Sequence, residues 1–370
     1  MKRNALFIAF TLLIPLFIFS QSGTKYILLE EFSTAQCGFC PDGDIVAAQL
    51  VQKYPHLIWV THHAGFGTDS MTALGSNTIA NAFTTGAPMA CIDRIDAPIY
   101  IYTTPPYIAI SRQKWDSVCG AHYSDPAVAD VNITNKYDNI NRTLDCEVNV
   151  IFRKPPKPGD FRINIFLVED SVVGYGKGYD QRNYYNSQPG HPLYGKGDTI
   201  IGYVHHRVVR LIPTGNWGVS GVIPYGPVYG AKYSHSIKNI PIPSKWKSND
   251  MEVVAFVSYA NDTAKKRQVI NSNHLNLLAN STGISNLNEI NKRISIYPNP
   301  TSDIISIEGD LSGNSQVYMQ IFNNTGQIIR NFSCNGKTTF SVGDLENGVY
   351  FYNIISRKSL ISNGNLVIIH

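Results

Sequence analysis

Between residues 24 and 122, short apolar runs alternate with stretches of helical spacing. YILLEEF (26–32) is a compact apolar run of the kind that forms a strand buried on both faces. DIVAAQLVQKY (44–54) carries apolar residues at helical intervals behind Pro41, which suits a helix's first turn. LIWVTHH (57–63) predicts a second strand and SNTIANAFTT (76–85) a second helix. GAPMACIDR (86–94) predicts a strand entered through Pro88, and YIAISRQKWDSVCG (107–120) a closing helix. Strands separated by helices imply βαβ units and a parallel or mixed sheet.

From Ala127 to about Leu277 the period changes to two. VADVNITNKY, LDCEVNVIFR, FRINIFLVED, YVHHRVVRLI and MEVVAFVSYA alternate or run β-branched, punctuated by turn signals such as KPPKPGD and PTGN. This pattern predicts an antiparallel β-sandwich. A loop, GYGKGYDQRNYYNSQPGHPLYGKG (174–197), interrupts it. Structureless loops beyond ~12–15 residues are uncommon unless they have a function, so a ligand-binding loop and a variable surface loop both stay open. NSTGISNLNEIN (280–291) is polar and reads as a linker. The short strands DIISIEG, QVYMQIFN, TTFSVGDL, GVYFYNIIS and NLVIIH then predict a small terminal sandwich. The expected divisions are a leader over 1–21, an α/β domain over 24–125, an all-β sandwich over 126–278, a linker over 279–292 and a small β-sandwich over 293–370.

The first segment changes the setting. Lys2 and Arg3 precede an apolar core from Ala5 to Phe19, and Ser20, Gln21 and Ser22 follow at once. That core is short of the roughly 20 residues of a membrane span, so it predicts a signal peptide cleaved near Ser20 or Gln21. No Cys follows it to carry a lipid anchor, and the mature chain is expected to lack a transmembrane segment. A net charge of +4 with 16% charged residues offers no footprint for nucleic acid. Export allows disulfides, but six cysteines in 370 residues do not make a disulfide scaffold.

Only Cys37 and Cys40 are close in sequence, in EEFSTAQCGFCPDG (30–43). A C-x-x-C pair at a helix start puts the first sulfur near unpaired backbone N–H groups, which favours its thiolate. The second thiol can resolve a mixed disulfide. On this reading Cys37 is the exposed nucleophile and Cys40 the buried resolving thiol. A structural disulfide stays open, as does a metal site using one of His62 and His63, since adjacent strand residues face opposite ways. A His beside Cys37, here His63, would line the site and favour the thiolate. Cys91 is expected to be a buried free thiol, Cys334 to be inert, and Cys119 and Cys146 flank the first boundary and could bridge it.

At EFSTAQCGFC the chain resembles the thioredoxin superfamily. The resemblance implies that Glu31, six residues before Cys37, is the buried acid that moves protons beneath the pair. It also implies that Ala87-Pro88 is the cis-proline step that presents backbone to substrate. Two departures bear on substrate docking: Gln36 replaces the usual Trp, and APIYIYTTPP (97–106) is a Pro-interrupted hairpin strand. The signal peptide, the Cys pair, the His pair and a long β segment together resemble the outer-membrane-protein-28-related family, as does YVHHRVVR more briefly. The chain's end resembles the type A sorting domain of type IX secretion cargo, through Tyr297 to Thr301, then Asp344, Leu345 and Asn347 to Tyr350, then Gly364, Leu366, Val367 and Ile368.

These resemblances imply a thioredoxin-like α/β domain, a β-sandwich and a sorting domain. They imply a protein delivered through the periplasm to the surface or exterior of a Gram-negative cell by the type IX secretion machinery. The expected activity is thiol–disulfide exchange on protein substrates through Cys37 and Cys40, assisted by Glu31, with Ala87, Pro88 and His63 at the substrate side and no cofactor. The competing expectation is an adhesin-like surface protein that keeps Cys37–Cys40 as a static disulfide.

Overall fold

A computed structural model describes residues 23–97, 107–279, 294–309, 317–323, 327–334, 338–356 and 359–370. The expected leader and nearly all of the linker and of APIYIYTTPP lie outside these residues. The chain divides into two compact units, 1–281 and 282–370.

The first unit is organised on one eight-stranded mixed sheet. β1 (Ile27–Ser33) and β2 (Leu57–His63) are parallel, in register from Ile27 opposite Leu57 to Ser33 opposite His63. Every residue of both is buried, as their apolar runs require. β3 (Met89–Ile92) pairs antiparallel with β1, and β4 (Ile110–Ser111) with β3. The remaining strands are β5 (Ala129–Asp138), β6 (Thr143–Phe152), β7 (Phe161–Glu169), the short β8 (Gln181–Arg182) and β9 (Thr199–Ile200), β10 (Val208–Leu211), β11 (Lys232–Pro241), β12 (Met251–Tyr259) and β13 (Val269–Asn276). The large sheet runs β13-β12-β7-β10-β2-β1-β3-β4. Its seam is Val208, which pairs parallel with Thr61. The boundary expected near residue 125 therefore does not separate two sheets.

Three helices and a second sheet cover this frame. α1 (Cys40–Lys53) and α3 (Trp115–His122) pack on the face carrying Leu29, Trp59 and Ile92. α2 (Ser76–Phe83) covers the opposite face with Phe32, Val60, Phe166 and Phe256. The three-stranded sheet β11-β6-β5 closes over β7 and β12, forming the antiparallel sandwich. Alternation in β6 puts Leu144, Cys146, Val148, Val150 and Phe152 inward. Burial of each large aliphatic or aromatic side chain is worth ~1.5–3 kcal/mol.

Two elements differ from expectation. The helix expected over 107–120 starts only at Trp115, because Ile110–Ser111 joins the sheet edge and the Trp115 indole donates back to the Ile110 carbonyl at 2.9 Å. The strand expected over 203–212 shrinks to Val208–Leu211, since Arg207 has φ +56°, which breaks an extended run.

In the second unit, β14 (Ile294–Tyr297), β15 (Ile304–Gly309) and β18 (Thr338–Ser341) form one sheet. β16 (Val317–Phe322), β17 (Ile328–Cys334), β19 (Gly348–Ser356) and β20 (Ser359–Ile368) form the other. Ile305, Ile307, Met319, Ile321, Ile354 and Leu366 meet in the core between them. Among the described residues of the chain no helix is long and apolar enough to cross a membrane.

Candidate functional site

Cys37 and Cys40 are joined in a disulfide, with their Cα atoms 5.3 Å apart. A turn held by Cys37 N–H to Thr34 O (3.0 Å) and Cys40 N–H to Cys37 O (3.1 Å) carries the pair. α1 begins at Cys40, not Cys37, with Pro41 in its first turn. The expectation of an exposed Cys37 is overturned: it is only 3% exposed, and Cys40 is fully buried. The physical reason is the long Gly- and Tyr-rich loop, which folds over the pair.

The contacts of that loop are specific. Arg182 N–H donates to Ala35 O at 2.8 Å, and Tyr184 N–H to Gly38 O at 3.0 Å. The Gln181 side-chain amide donates to Cys37 O at 2.8 Å. A Cβ on Gly38 would lie 2.5 Å from Tyr184 Cγ, so only glycine admits the tyrosine ring there. Tyr184 also packs edge-on against Phe39, ring centroids 4.9 Å apart. Further along, Tyr185 stacks on His191 at 3.9 Å, and His191 Nε2 lies 3.1 Å from Asp42 Oδ1 in the first turn of α1. Arg112 hydrogen-bonds both Asp42 and the Tyr185 hydroxyl.

Below α1 lies a buried acid pair. Glu31 Oε2 accepts from the Trp59 indole at 2.8 Å, while Oε1 has no hydrogen-bond partner. Gly43 is the close approach that places this carboxylate. A Cβ there would meet Glu31 Oε1 at 2.5 Å and the Pro88 ring at 2.9 Å. Asp44, also on α1, accepts from the Tyr203 hydroxyl at 2.8 Å. Burial, and then the neighbouring Asp44, push the Glu31 carboxyl well above its ordinary range. Burial likewise raises Asp44, against the Tyr203 hydrogen bond. Glu31 is therefore held towards its protonated form.

Of the residues the sequence points to, Cys37, Cys40, Glu31 and Pro88 are set around the first turn of α1. The Ala87–Pro88 peptide is cis, with Pro88 buried and Ala87 half-buried. His63 takes a supporting place instead. Its Nδ1 lies 2.7 Å from Asp69 Oδ2, the oxygen that accepts the Ala35 N–H at 2.8 Å, so His63 pins the turn that bears Cys37. His62 faces the opposite side, with Nδ1 3.0 Å from Ser76 Oγ and its ring stacked on Phe32. Cys91, Cys119, Cys146 and Cys334 are free and buried, so no disulfide bridges residues 119 and 146. Among the described residues no group of three or more His, Cys, Asp or Glu side chains is placed to hold a metal ion. Sequence reasoning missed Asp44, Tyr203, Gln181 and Tyr184. Asp44 lies one helical turn past Cys40 and could have been read from that spacing; the other three carry no local signal.

Opposite Glu31 on the other face of β1, Glu30 receives a two-pronged ion pair from Arg94, at 2.6 and 2.7 Å. The Arg94 guanidinium lies over the rings of Phe83, Phe256 and Trp217. Burial acts to raise Glu30, but Arg94 and His62 outweigh it and bring the carboxyl down to about 2.

The terminal unit brings its three motif segments together. Asn299 donates to Asn365 O at 2.7 Å and accepts from Val367 N–H at 2.8 Å, while Thr301 N–H donates to Val367 O at 3.0 Å. Asn347 Oδ1 accepts the His370 N–H at 2.7 Å. Residues 295–369 match the secretion system C-terminal sorting domain. The chain thus carries a sorting domain of that class, which implies handling by the type IX secretion machinery and a secreted or cell-surface destination. Comparison with curated proteins returned no match. Among solved structures, HBP35 of Porphyromonas gingivalis is similar at TM-score 0.52 and 17% identity, over 94% of this chain and 99% of that one. At that identity the likeness is one of fold. A domain of the outer membrane lipoprotein Omp28 from the same organism aligns at TM-score 0.24 and 13% identity over 42% of this chain and 90% of that one, which is too low to carry an argument.

Proposed function

We propose that this exported chain carries a thioredoxin-like site and exchanges thiols and disulfides with protein substrates through Cys37 and Cys40. The observation that carries the reading is the buried Glu31 carboxyl, with one oxygen left unpaired, under the first turn of the helix that Cys40 opens. A purely structural disulfide has no need of such a group, which costs roughly 1–3 kcal/mol to leave unsatisfied. The strand order β2-β1-β3-β4, with α1 and α3 on one face and α2 on the other, supports the reading. So does the position of Pro88 against Gly43.

The chemistry starts from the oxidised pair. A substrate thiolate attacks Cys37 Sγ, the Cys37–Cys40 bond breaks, and Cys40 leaves as a thiolate that takes a proton from the Glu31 side. A second substrate thiolate then attacks the substrate sulfur of the mixed disulfide and expels Cys37. Two electrons pass to the protein, the substrate gains a disulfide, and the two protons its thiols release to water are taken back by Cys37 and by Glu31, so that Cys37 and Cys40 end as thiols. Run in reverse, Glu31 accepts the Cys40 proton. When the substrate's own disulfides are merely rearranged, no outside oxidant is consumed.

The burial of Cys37 under the loop favours a second reading, a static disulfide in an adhesin-like surface protein. Refolding of scrambled ribonuclease by the mature protein, with glutathione present to supply the thiolate that starts exchange and the rate read above the protein-free background, separates the two. Turnover that disappears in Cys37→Ser supports exchange; no turnover by the wild-type protein supports the static reading.

A further inference from the structure

We infer that the floor formed by Ala35, Cys37, Gly38 and Phe39 is a recognition surface for an extended polypeptide bearing an aromatic side chain, and that the chain's own residues 181–184 occupy it at rest. This inference rests on the exchange reading above and names the partner's chemistry.

The floor presents backbone carbonyls at Ala35, Cys37 and Gly38, each accepting from the loop. The donors Arg182 and Tyr184 are alternate residues, the spacing with which an extended strand offers its N–H groups to a partner on one side. Recognition through main-chain carbonyls tolerates many sequences, so a pocket must supply the preference. The hollow over Gly38 is that pocket. It exists only because Gly38 lacks a Cβ, and it is an open one: the Phe39 ring flanks it at 45% exposure and Tyr184 lies on it at 47% exposure.

The rest of the loop does not hold these residues by a hydrophobic core. Asn183 is tied to the Leu193 and Gly197 carbonyls of the loop itself, Gln181 and Arg182 pair with Ile200 and Thr199, and Tyr185 and His191 reach α1 through Asp42, so the segment is held mainly by polar contacts, several of them buried. Tyr175 and Tyr194 stand largely in solvent. Withdrawal of residues 181–184 would uncover Cys37 and take the loop donors from the Ala35 and Gly38 carbonyls, which an incoming chain replaces, while Cys37 O keeps the Cys40 N–H.

The test uses the full mature protein. The rate at which a water-soluble phosphine reduces Cys37–Cys40 is measured for the wild type and for Tyr184→Ala and Gln181→Ala. If the loop is an exchangeable occupant, each variant is reduced about tenfold faster or more, because a larger fraction of molecules is open. A synthetic peptide of residues 179–185 added to Tyr184→Ala then slows reduction again, and the same peptide with Tyr184→Ala does not. Rates within about twofold of wild type in both variants overturn the inference. So does wild-type hydrogen exchange in which the Arg182 and Tyr184 amides open only with global unfolding, a readout that stays valid if a variant misfolds. Fast reduction and peptide protection without any ribonuclease turnover sink the catalytic reading and leave the recognition surface standing. Turnover in the wild type with no change in the loop variants does the reverse.

Discussion

Glu30 and Glu31 are neighbours in β1, both completely buried, yet their surroundings drive them in opposite directions. Strand alternation sends Glu30 to the α2 face, where Arg94 grips both of its oxygens. It sends Glu31 to the α1 face, where Trp59 is its one hydrogen-bond donor, Asp44 pushes its carboxyl up, and the Arg112 cation opposes this only weakly. The same side chain is therefore a fixed ion on one face and, on the other, a carboxyl held towards its neutral form, to which the exchange proposal gives the proton. Burial alone does not make a functional carboxylate; the absence of a matched cation does.

Breaking the Glu30 side should have the largest effect. Arg94→Ala leaves a buried carboxylate uncompensated and is expected to cost about 3–5 kcal/mol in urea denaturation. Replacing both partners, Glu30→Gln with Arg94→Met, should cost much less, because no lone charge stays buried.

Acid sharpens the comparison next. Glu30 is lowered from an ordinary 4.5 to about 2, so its contribution is present above the ordinary value and is lost as pH falls through about 2. The loss is ~3 kcal/mol, read as falling urea midpoints. Glu31 works with the opposite sign. Its folded value is raised, so the protein is best off below the ordinary carboxylate range and loses stability as pH rises towards that raised value. Glu31→Gln should lessen this decline, with the share that the raised Asp44 contributes remaining, and leave the acid limb unchanged.

The same Glu31→Gln substitution should slow exchange at neutral pH by roughly 100-fold and flatten its pH profile, with the disulfide still formed. The smallest effect is expected from Tyr203→Phe, which removes the hydroxyl that Asp44 accepts from. It should cost ~1 kcal/mol and move the pH profile of exchange upward, since Asp44 loses a bond that favours its charged form.

Local pattern made much of the scaffold readable. The alternation in β6 matches its inward and outward residues one for one, and β1 and β2, each opening on an apolar run and closing on buried polar residues, sit where both faces are covered. What the pattern could not convey was partnership. Val208 pairs with Thr61 across nearly 150 residues of chain, and nothing in VVRL names that neighbour. The site divides in the same way. Cys37 and Cys40 are close in sequence and could be read together, and the resemblance added Glu31 and Pro88. Gln181 and Tyr184 reach the pair only through the fold, from a stretch whose glycines and tyrosines signal a loop but not its destination, and Tyr203 reaches Asp44 from a segment that reads as a strand.

The most direct test is the reduction potential of Cys37–Cys40 in the mature protein, equilibrated against glutathione, with ribonuclease turnover followed in parallel. The account predicts a potential above about −300 mV together with turnover that requires Cys37. A potential below about −300 mV with no turnover would mark a structural bond and contradict it.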